Sequence, residues 1–149
     1  MTPAGTADTL RWAVLAIPAR PEHARTARNL VATTLGDGHP CAADAVLLAS
    51  ELVTNSVLHS DSRRPGGTVT ITIWGDTSSV LVEVTDAGGE SVPAVRDGSD
   101  TEDGRGLFLV EQLSAGWGHR TDEEGGRVTW FEVQEPPARA GLDTERDQG

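Results

Sequence analysis

Apolar and polar residues alternate along two neighbouring stretches of the chain, residues 69–74 (V-T-I-T-I-W) and 80–85 (V-L-V-E-V-T). Strict alternation predicts half-buried strands, and the short turn between these two predicts a hairpin. Residues 10–17 and 128–133 are apolar runs of strand length, and residues 119–121 are interpreted as the start of another strand. The pattern therefore predicts a sheet of short strands.

Three other stretches, residues 21–35, 42–59 and 107–113, space their apolar residues as amphipathic helices do. Proline at position 21 suits the first turn of the first helix. Residues 116–118 (G-W-G) are expected to end the third helix. Strands and helices of these lengths predict an α+β domain.

A glycine-rich loop is expected between the hairpin and the third helix. Residues 86–106 contain five glycines and one proline and have no regular periodicity. Within them, residues 90–103 carry five acidic residues against one arginine. A loop of this length inside a compact domain is usually functional or disordered.

The second predicted helix carries a polar stripe formed by Glu51, Asn55 and His59. Residues four apart share a helix face, so a carboxylate, an amide and an imidazole lie together there. A carboxylate beside an amide oxygen can hold a magnesium ion or orient a nucleophile. The alternative is an ordinary solvated face of an amphipathic helix. For His59, at the helix end, a cap or a core hydrogen bond is the preferred interpretation.

Length and charge narrow the classes of protein. The chain has 149 residues and a net charge of −11, which argues against a nucleic-acid binder and against docking on anionic membranes. We expect one domain over residues 10–133, a frayed segment 1–9 and a disordered tail 134–149. No apolar run approaches the length of a membrane span, so a cytoplasmic location is expected. The single cysteine, Cys41, excludes an internal disulfide and a multi-cysteine zinc site.

All twelve basic residues are arginines. Without lysine the chain cannot build a Walker A loop or the strand lysine of a eukaryotic-type protein kinase. It also has no lysine amine for a Schiff base. A nucleotide site here would have to neutralise phosphates with magnesium, arginine and backbone amides.

Three motifs occur in a characteristic order. Residues 51–59 (E-L-V-T-N-S-V-L-H), 86–89 (D-A-G-G) and 104–107 (G-R-G-L) resemble the N box and the two glycine boxes of the GHKL ATPase superfamily. Within that superfamily, the resemblance is greatest to the small bacterial anti-sigma-factor serine kinases. It extends over about residues 10–133.

The resemblance implies a Bergerat fold. That fold is a two-layer α/β sandwich with a mixed, mostly antiparallel sheet and helices on one face. ATP lies between the helix layer and a mobile lid, which the acidic segment 90–103 would form. ATP and Mg²⁺ are the implied cofactors.

The resemblance also implies a role for each matching residue. Glu51 would act as the catalytic base or orient the attacking hydroxyl, and Asn55 would give its amide oxygen to magnesium. Asp86 would accept a hydrogen bond from the adenine amino group, with Gly88 leaving room for the base. The residues expected to line the phosphates through the helix N-terminus are Gly104, Arg105, Gly106 and Leu107. For Arg105, anchoring the lid is an equal alternative to a phosphate contact.

The sequence departs from the family pattern in two places. The first glycine box usually reads D-x-G-x-G, whereas here Gly88 and Gly89 are adjacent. Relatives often place threonine directly before the last strand, whereas here Val128 precedes Thr129. A water or Thr129 itself is expected to replace that hydroxyl contact. Since an acidic lid repels a triphosphate, ATP binding is predicted to require magnesium.

The implied function is transfer of the ATP γ-phosphate to a serine or threonine of an anti-sigma-antagonist protein, in the regulation of transcription. A sigma factor is a second implied partner, and homodimerisation is implied as well. The first alternative is a nucleotide-gated protein that sequesters a partner without phosphorylating it. The ATPase domain of a two-component histidine kinase is disfavoured, because no helix with a phosphoacceptor histidine precedes the domain. A structural domain without nucleotide is disfavoured by the three motifs.

Overall fold

A computed structural model describes residues 10–89 and 102–136. Within these ranges the chain forms five strands and three helices. The strands are β1 (Arg11–Pro18), β2 (Thr68–Gly75), β3 (Ser79–Asp86), β4 (Gly116–Thr121) and β5 (Arg127–Gln134); the helices are α1 (Ala24–Leu35), α2 (Ala42–His59) and α3 (Glu102–Leu113). Short 3₁₀ turns lie at Pro21–His23 and Asp61–Arg63.

The strands form a single open sheet in the order β1-β2-β3-β5-β4. Each pairing between the described strands is antiparallel, so the parallel pair that a mixed sheet requires does not occur among them. The helices pack against one face of this sheet. The expected α+β fold with one helical layer is confirmed.

The hairpin β2–β3 is built as its alternation predicts. Every second residue of each strand is buried, and the buried positions are in register, as Ile73 opposite Val82 illustrates. These side chains meet the apolar face of α2, where Leu48, Leu52 and Val53 are almost fully buried. The hairpin and α2 therefore form the centre of the hydrophobic core.

Strand β1 lies at the edge of the sheet and pairs with β2 alone among the described strands. Ile17 is buried, whereas Trp12 is 63% exposed and Val14 is 48% exposed. Trp12 thus packs at the edge of the sheet and not in the core. Its strand leaves an apolar side of the sheet open to solvent.

Two predicted boundaries were wrong. Helix α3 begins at Glu102, before the Gly-Arg-Gly turn that was expected to precede it. Residues 116–118 do not end a helix but begin β4. A side chain at Gly118 would meet the indole of Trp130 on β5 at 3.2 Å. These glycines allow an aromatic ring to lie on the neighbouring strand.

Several predicted segments lie outside the described residues. They are the N-terminal segment 1–9, residues 90–101 of the expected lid and residues 137–149 of the expected tail. Gln134, placed at the start of that tail, is the last residue of β5. Residues 102 and 103, placed at the end of the lid, belong to α3.

The end of the sheet near the β2–β3 turn is joined to the loop between α1 and α2. His39 Nε2 lies 2.6 Å from the backbone oxygen of Asp76, and the Cys41 amide donates to His39 Nδ1 at 3.0 Å. The Cys41 thiol lies 3.4 Å from the carbonyl oxygen of Ser78. The Asp76 carboxylate accepts bonds from the turn that follows it, and the Ser78 amide is the main reason that its pKa is lowered.

Candidate functional site

Helix α2 presents its two faces as the sequence predicts. Glu51, Asn55 and His59 are each half-buried along one stripe. The inward stripe consists of Ala45, Leu48, Ala49, Leu52, Val53, Ser56 and Val57, all buried. Arg28 of α1 donates to the hydroxyl of Ser50 at 3.0 Å and helps to fix the two helices together. The polar stripe is therefore held on a rigid, packed element.

The carboxylate of Glu51 lies directly against α3. A Cβ atom added to Gly106 would be 2.5 Å from Glu51 Oε1 and 3.7 Å from Glu51 Cβ. Any larger residue at position 106 would have to push this carboxylate aside. Gly106 thus allows α3 to approach the polar stripe of α2.

The four residues expected to line phosphates are not all at the start of a helix. Gly104 lies in the first turn of α3, whereas Gly106 and Leu107 lie in the second, where backbone amides bond within the helix. The side chain of Leu107 is 3% exposed and belongs to the hydrophobic core. Position 105 lies in the helix between Gly104 and Gly106. The amides nearest the helix N-terminus are those of residues 102–104.

Asp86 is the last residue of β3 and is only 6% exposed. The Gly88 amide donates to Asp86 Oδ1 at 2.7 Å, and the hydroxyl of Ser56 also bonds to this carboxylate. Burial raises the pKa of Asp86, and the two hydrogen bonds oppose that rise, as does the charge of Arg127. The structure thus holds a buried carboxylate between α2 and the first glycine box.

Gly88 and Gly89 form a compact turn after Asp86. Gly88 has φ +80, and a side chain there would approach the carbonyl oxygen of Gly125 to 3.2 Å. Its carbonyl accepts a bond from the Asp61 amide at 2.7 Å, and Arg127 donates to the carbonyl of Gly89 at 2.8 Å. The adjacent glycines are therefore clamped between a 3₁₀ turn and the start of β5.

Thr129 lies on β5, opposite Val84 of β3, and faces the helices. It is 1% exposed, and its hydroxyl has no hydrogen-bond partner among the described residues. A buried hydroxyl without a partner costs free energy, so such a group commonly marks a place for a water or a ligand. That Thr129 replaces the missing family threonine stays a prediction.

Three contributors to the site were missed from the sequence. Ser56 and Arg127 act on Asp86, and Ser62 accepts a hydrogen bond from the Ala87 amide at 2.8 Å. Ser56 could have been found, because it is a polar residue on the inward, apolar stripe of α2. Arg127 and Ser62 left no such signal, since their contacts depend on how the loops fold back.

An acidic cavity of about 470 Å³ opens on the side of the sheet away from the helices. Thr70 and Thr85 line it from the outward positions of β2 and β3. Acidic residues contribute to its wall as well, among them Asp61, Asp122 and Glu124. Asp86 lines this cavity as well, whereas Glu51 and Asn55 do not.

The described residues hold no group of three or more His, Cys, Asp or Glu side chains that could bind a metal ion unaided. Magnesium sites in nucleotide-binding proteins commonly use one or two protein oxygens, with water and phosphates completing the coordination. The amide oxygen of Asn55, on the half-buried stripe, fits that arrangement. Over the same described ranges, no helix has the length and apolar character needed to cross a lipid bilayer.

The model of a family described as histidine kinase-like ATPase domain matches residues 17–132. This range contains Glu51, Asn55, Asp86 and the start of α3. No curated protein matches the chain.

Proposed function

Because the chain belongs to the family of histidine kinase-like ATPase domains, we propose that it is an ATP-dependent serine/threonine protein kinase of the anti-sigma-factor type. Family membership supports ATP binding and an ATP-dependent, kinase-like activity. The observation that carries the proposal further is the contact of Glu51 with Gly106. It brings a half-buried carboxylate to the junction of α2 with the helix that the resemblance assigns to the phosphates.

Each residue of the site has a defined task in this proposal. The ionised carboxylate of Asp86 accepts a hydrogen bond from the adenine amino group, and Gly88 leaves room for the base. Asn55 would hold magnesium, which supplies positive charge to the triphosphate when it is bound. The amides at the start of α3, near Gly104 and Arg105, face the phosphates at the positive end of the helix dipole.

The transfer is a displacement at phosphorus. The hydroxyl oxygen of a serine or threonine on the partner protein attacks the γ-phosphorus, and the bond from that phosphorus to the bridging β-phosphate oxygen breaks. ADP leaves, and the hydroxyl proton passes to Glu51. Such transfers depend mainly on positioning and on neutralisation of charge. The proposed acceptor is an anti-sigma-antagonist protein, and a sigma factor is the second proposed partner.

The proposal includes a homodimer, for which β1 offers a surface. Its outer backbone edge, which pairs with no other strand among the described residues, and its exposed Trp12 and Val14 suit antiparallel pairing with the same strand of a second copy.

Nucleotide binding is tested by calorimetry of the purified protein with ATP, in magnesium and in excess EDTA. We expect binding in magnesium, little binding in EDTA, and a strong loss of affinity on Asp86→Asn. Equal binding in EDTA would contradict the magnesium requirement. No binding in either condition would contradict the ATP site itself.

The chemical step is tested separately by ATP hydrolysis, which is measured as ADP release. In this assay water takes the place of the partner's serine or threonine hydroxyl. Glu51→Gln should reduce ADP release by at least about a hundredfold, since general-base catalysis commonly contributes 10²–10⁴-fold, while ATP affinity stays close to that of the wild type. Glu111→Gln, an exposed acid on α3, is the matched control and should change neither quantity. If ATP binds but Glu51→Gln releases ADP as fast as the wild type, the protein is better described as a nucleotide-gated sequestering protein.

A further inference from the structure

Ser56 is a hydroxyl buried where α2 is otherwise apolar. It is 2% exposed and lies on the inward stripe between Val53 and Val57. Its neighbour Asn55 faces the candidate site, so the two consecutive residues serve different sides of the helix. A serine in the middle of a core-facing stripe needs a partner, because an unsatisfied buried hydroxyl costs free energy.

The partner of Ser56 is the Asp86 carboxylate, on a different element and thirty residues later in the chain. The Gly88 amide donates to Oδ1 of the same carboxylate at 2.7 Å. A carboxylate held by a donor from a helix and a donor from its own turn cannot rotate freely. Its remaining lone pairs point in a fixed direction.

The two donors also act on the charge of Asp86. Burial of the group disfavours the ionised form, and both hydrogen bonds favour it. Two charges on neighbouring elements act as well: that of Arg127 favours the ionised form and that of Asp61 opposes it. An ionised carboxylate only accepts hydrogen bonds, whereas a protonated one has lost one acceptor site and gained an O–H. A base amino group is a donor and is therefore bound more strongly by the ionised form, because a hydrogen bond to a charged acceptor is stronger.

We propose that Ser56 is a positioning residue for the nucleotide site: its hydroxyl fixes the Asp86 carboxylate in the orientation that accepts a hydrogen bond from the amino group of the base. This inference rests on the proposed function, because it assumes that Asp86 contacts adenine. It adds that Ser56 determines the pH at which nucleotide binding is lost on acidification.

The test follows ATP affinity in magnesium across a pH series, beside the ¹³C NMR titration of the Asp86 carboxyl in the nucleotide-free protein. Ser56→Ala removes one oxygen atom and adds nothing, so the fold is expected to persist. Losing a hydrogen bond to a charged group should raise both midpoints by about one pH unit. Ser56→Thr keeps the hydroxyl and should restore the wild-type midpoints.

Ser50→Ala is the matched control. Ser50 is also a hydroxyl on α2, but its partner is Arg28 and not Asp86, so its loss should leave both midpoints unchanged. Asp86→Asn identifies the NMR signal, and any pH dependence that its residual binding keeps belongs to the titration of ATP itself and is the baseline for the other variants.

The outcomes separate the inference from the function on which it rests. If Ser56→Ala binds ATP with the wild-type pH profile, or more weakly by the same factor at every pH, Ser56 is a packing residue and the inference is wrong. If the wild type binds no ATP at any pH, the proposed function fails, and with it the contact that Ser56 would serve. A shift confined to Ser56→Ala and reversed in Ser56→Thr supports the inference.

Discussion

Asp86 is held in the folded protein at a free-energy cost. Its carboxyl is nearly inaccessible to water, and burial raises its pKa. The folded state therefore holds a proton on Asp86 at pH values where the unfolded chain, with a pKa of about 3.9, has released it. Because the folded state binds more protons than the unfolded chain between these two pKa values, the free energy of unfolding falls as pH rises through that window.

Without nucleotide, the Asp86→Asn variant should become more stable relative to the wild type as pH rises through that window. Only the wild type must bury a charge there, so only its free energy of unfolding falls. Each unit of raised pKa corresponds to about 1.4 kcal/mol. Urea unfolding at a series of pH values measures the difference. Asp37→Asn, at an exposed position, should show no such trend; a flat difference for Asp86→Asn would refute the argument.

The position of a site residue could be predicted from the sequence where the pattern that marks it lies within one element. Glu51 and Asn55 stand out because polar residues recur every four positions, and the structure places both on one half-buried stripe. Ser56 carried a local signal, as a polar residue on an apolar stripe, but its partner could not be predicted because it lies on another element. The contact of Gly106 with Glu51 could not be foreseen, since it depends on the distance between two helices and not on either sequence.

At the scale of elements, the contact between α2 and α3 is close because one residue has no side chain. Gly106 faces the Glu51 carboxylate at a separation that leaves no space for a methyl group. Glycine in a helix interior costs up to about 1 kcal/mol relative to alanine. The chain accepts that cost where α3 approaches the polar stripe.

Gly106→Ala should therefore stabilise α3 and impair turnover. The added methyl group displaces the end of Glu51, and a misplacement of about 1 Å can reduce the rate by roughly a hundredfold. ATP affinity should change little. The measurement is ADP release together with calorimetry and thermal unfolding.

A double variant provides the check on this cause. If Gly106→Ala acts through Glu51, it should add almost nothing to the effect of Glu51→Gln, because residues in contact are not additive. Multiplicative losses in the double variant would show that the alanine disturbs something else.

The predicted boundaries of elements were wrong where a glycine-containing segment was interpreted as a turn or as the end of a helix. In α3 the Gly-Arg-Gly segment continues a helix, and in β4 the Gly-Trp-Gly segment lies beneath an indole. Gly106 and Gly118 each allow close packing between two elements. Alternation in β2 and β3, by contrast, is a direct consequence of strand geometry, so their burial was predicted residue by residue.

In the whole molecule, the helices cover one face of the sheet and leave the other face open. Strand β1 lies at the edge of that sheet and exposes apolar side chains. An apolar run predicts a strand but not its place in the sheet, which depends on the pairing of β1 with β2. The net charge of −11 opposes self-association at low salt. A dimer through β1 would have to outweigh that repulsion with backbone pairing and burial of Trp12.

Trp12→Glu should convert the proposed dimer into a monomer without lowering stability, because the indole is 63% exposed in the single chain. Sedimentation velocity over a range of concentrations measures the change. Leu113→Glu alters an exposed apolar residue at the end of α3 and should leave the dimer intact. A wild type that is monomeric at all concentrations would show that no such dimer forms.

Cys41 gives the molecule a built-in reporter of breathing motions. It is the chain's single thiol, it is 2% exposed, and burial together with nearby carboxylates raises its pKa. A thiol reagent can reach it only when the sheet end near Ser78 opens, about 23 Å along β3 from Asp86. The labelling rate therefore measures local opening far from the nucleotide elements. If ATP slows that rate, ligand binding tightens the entire sheet and not merely the pocket.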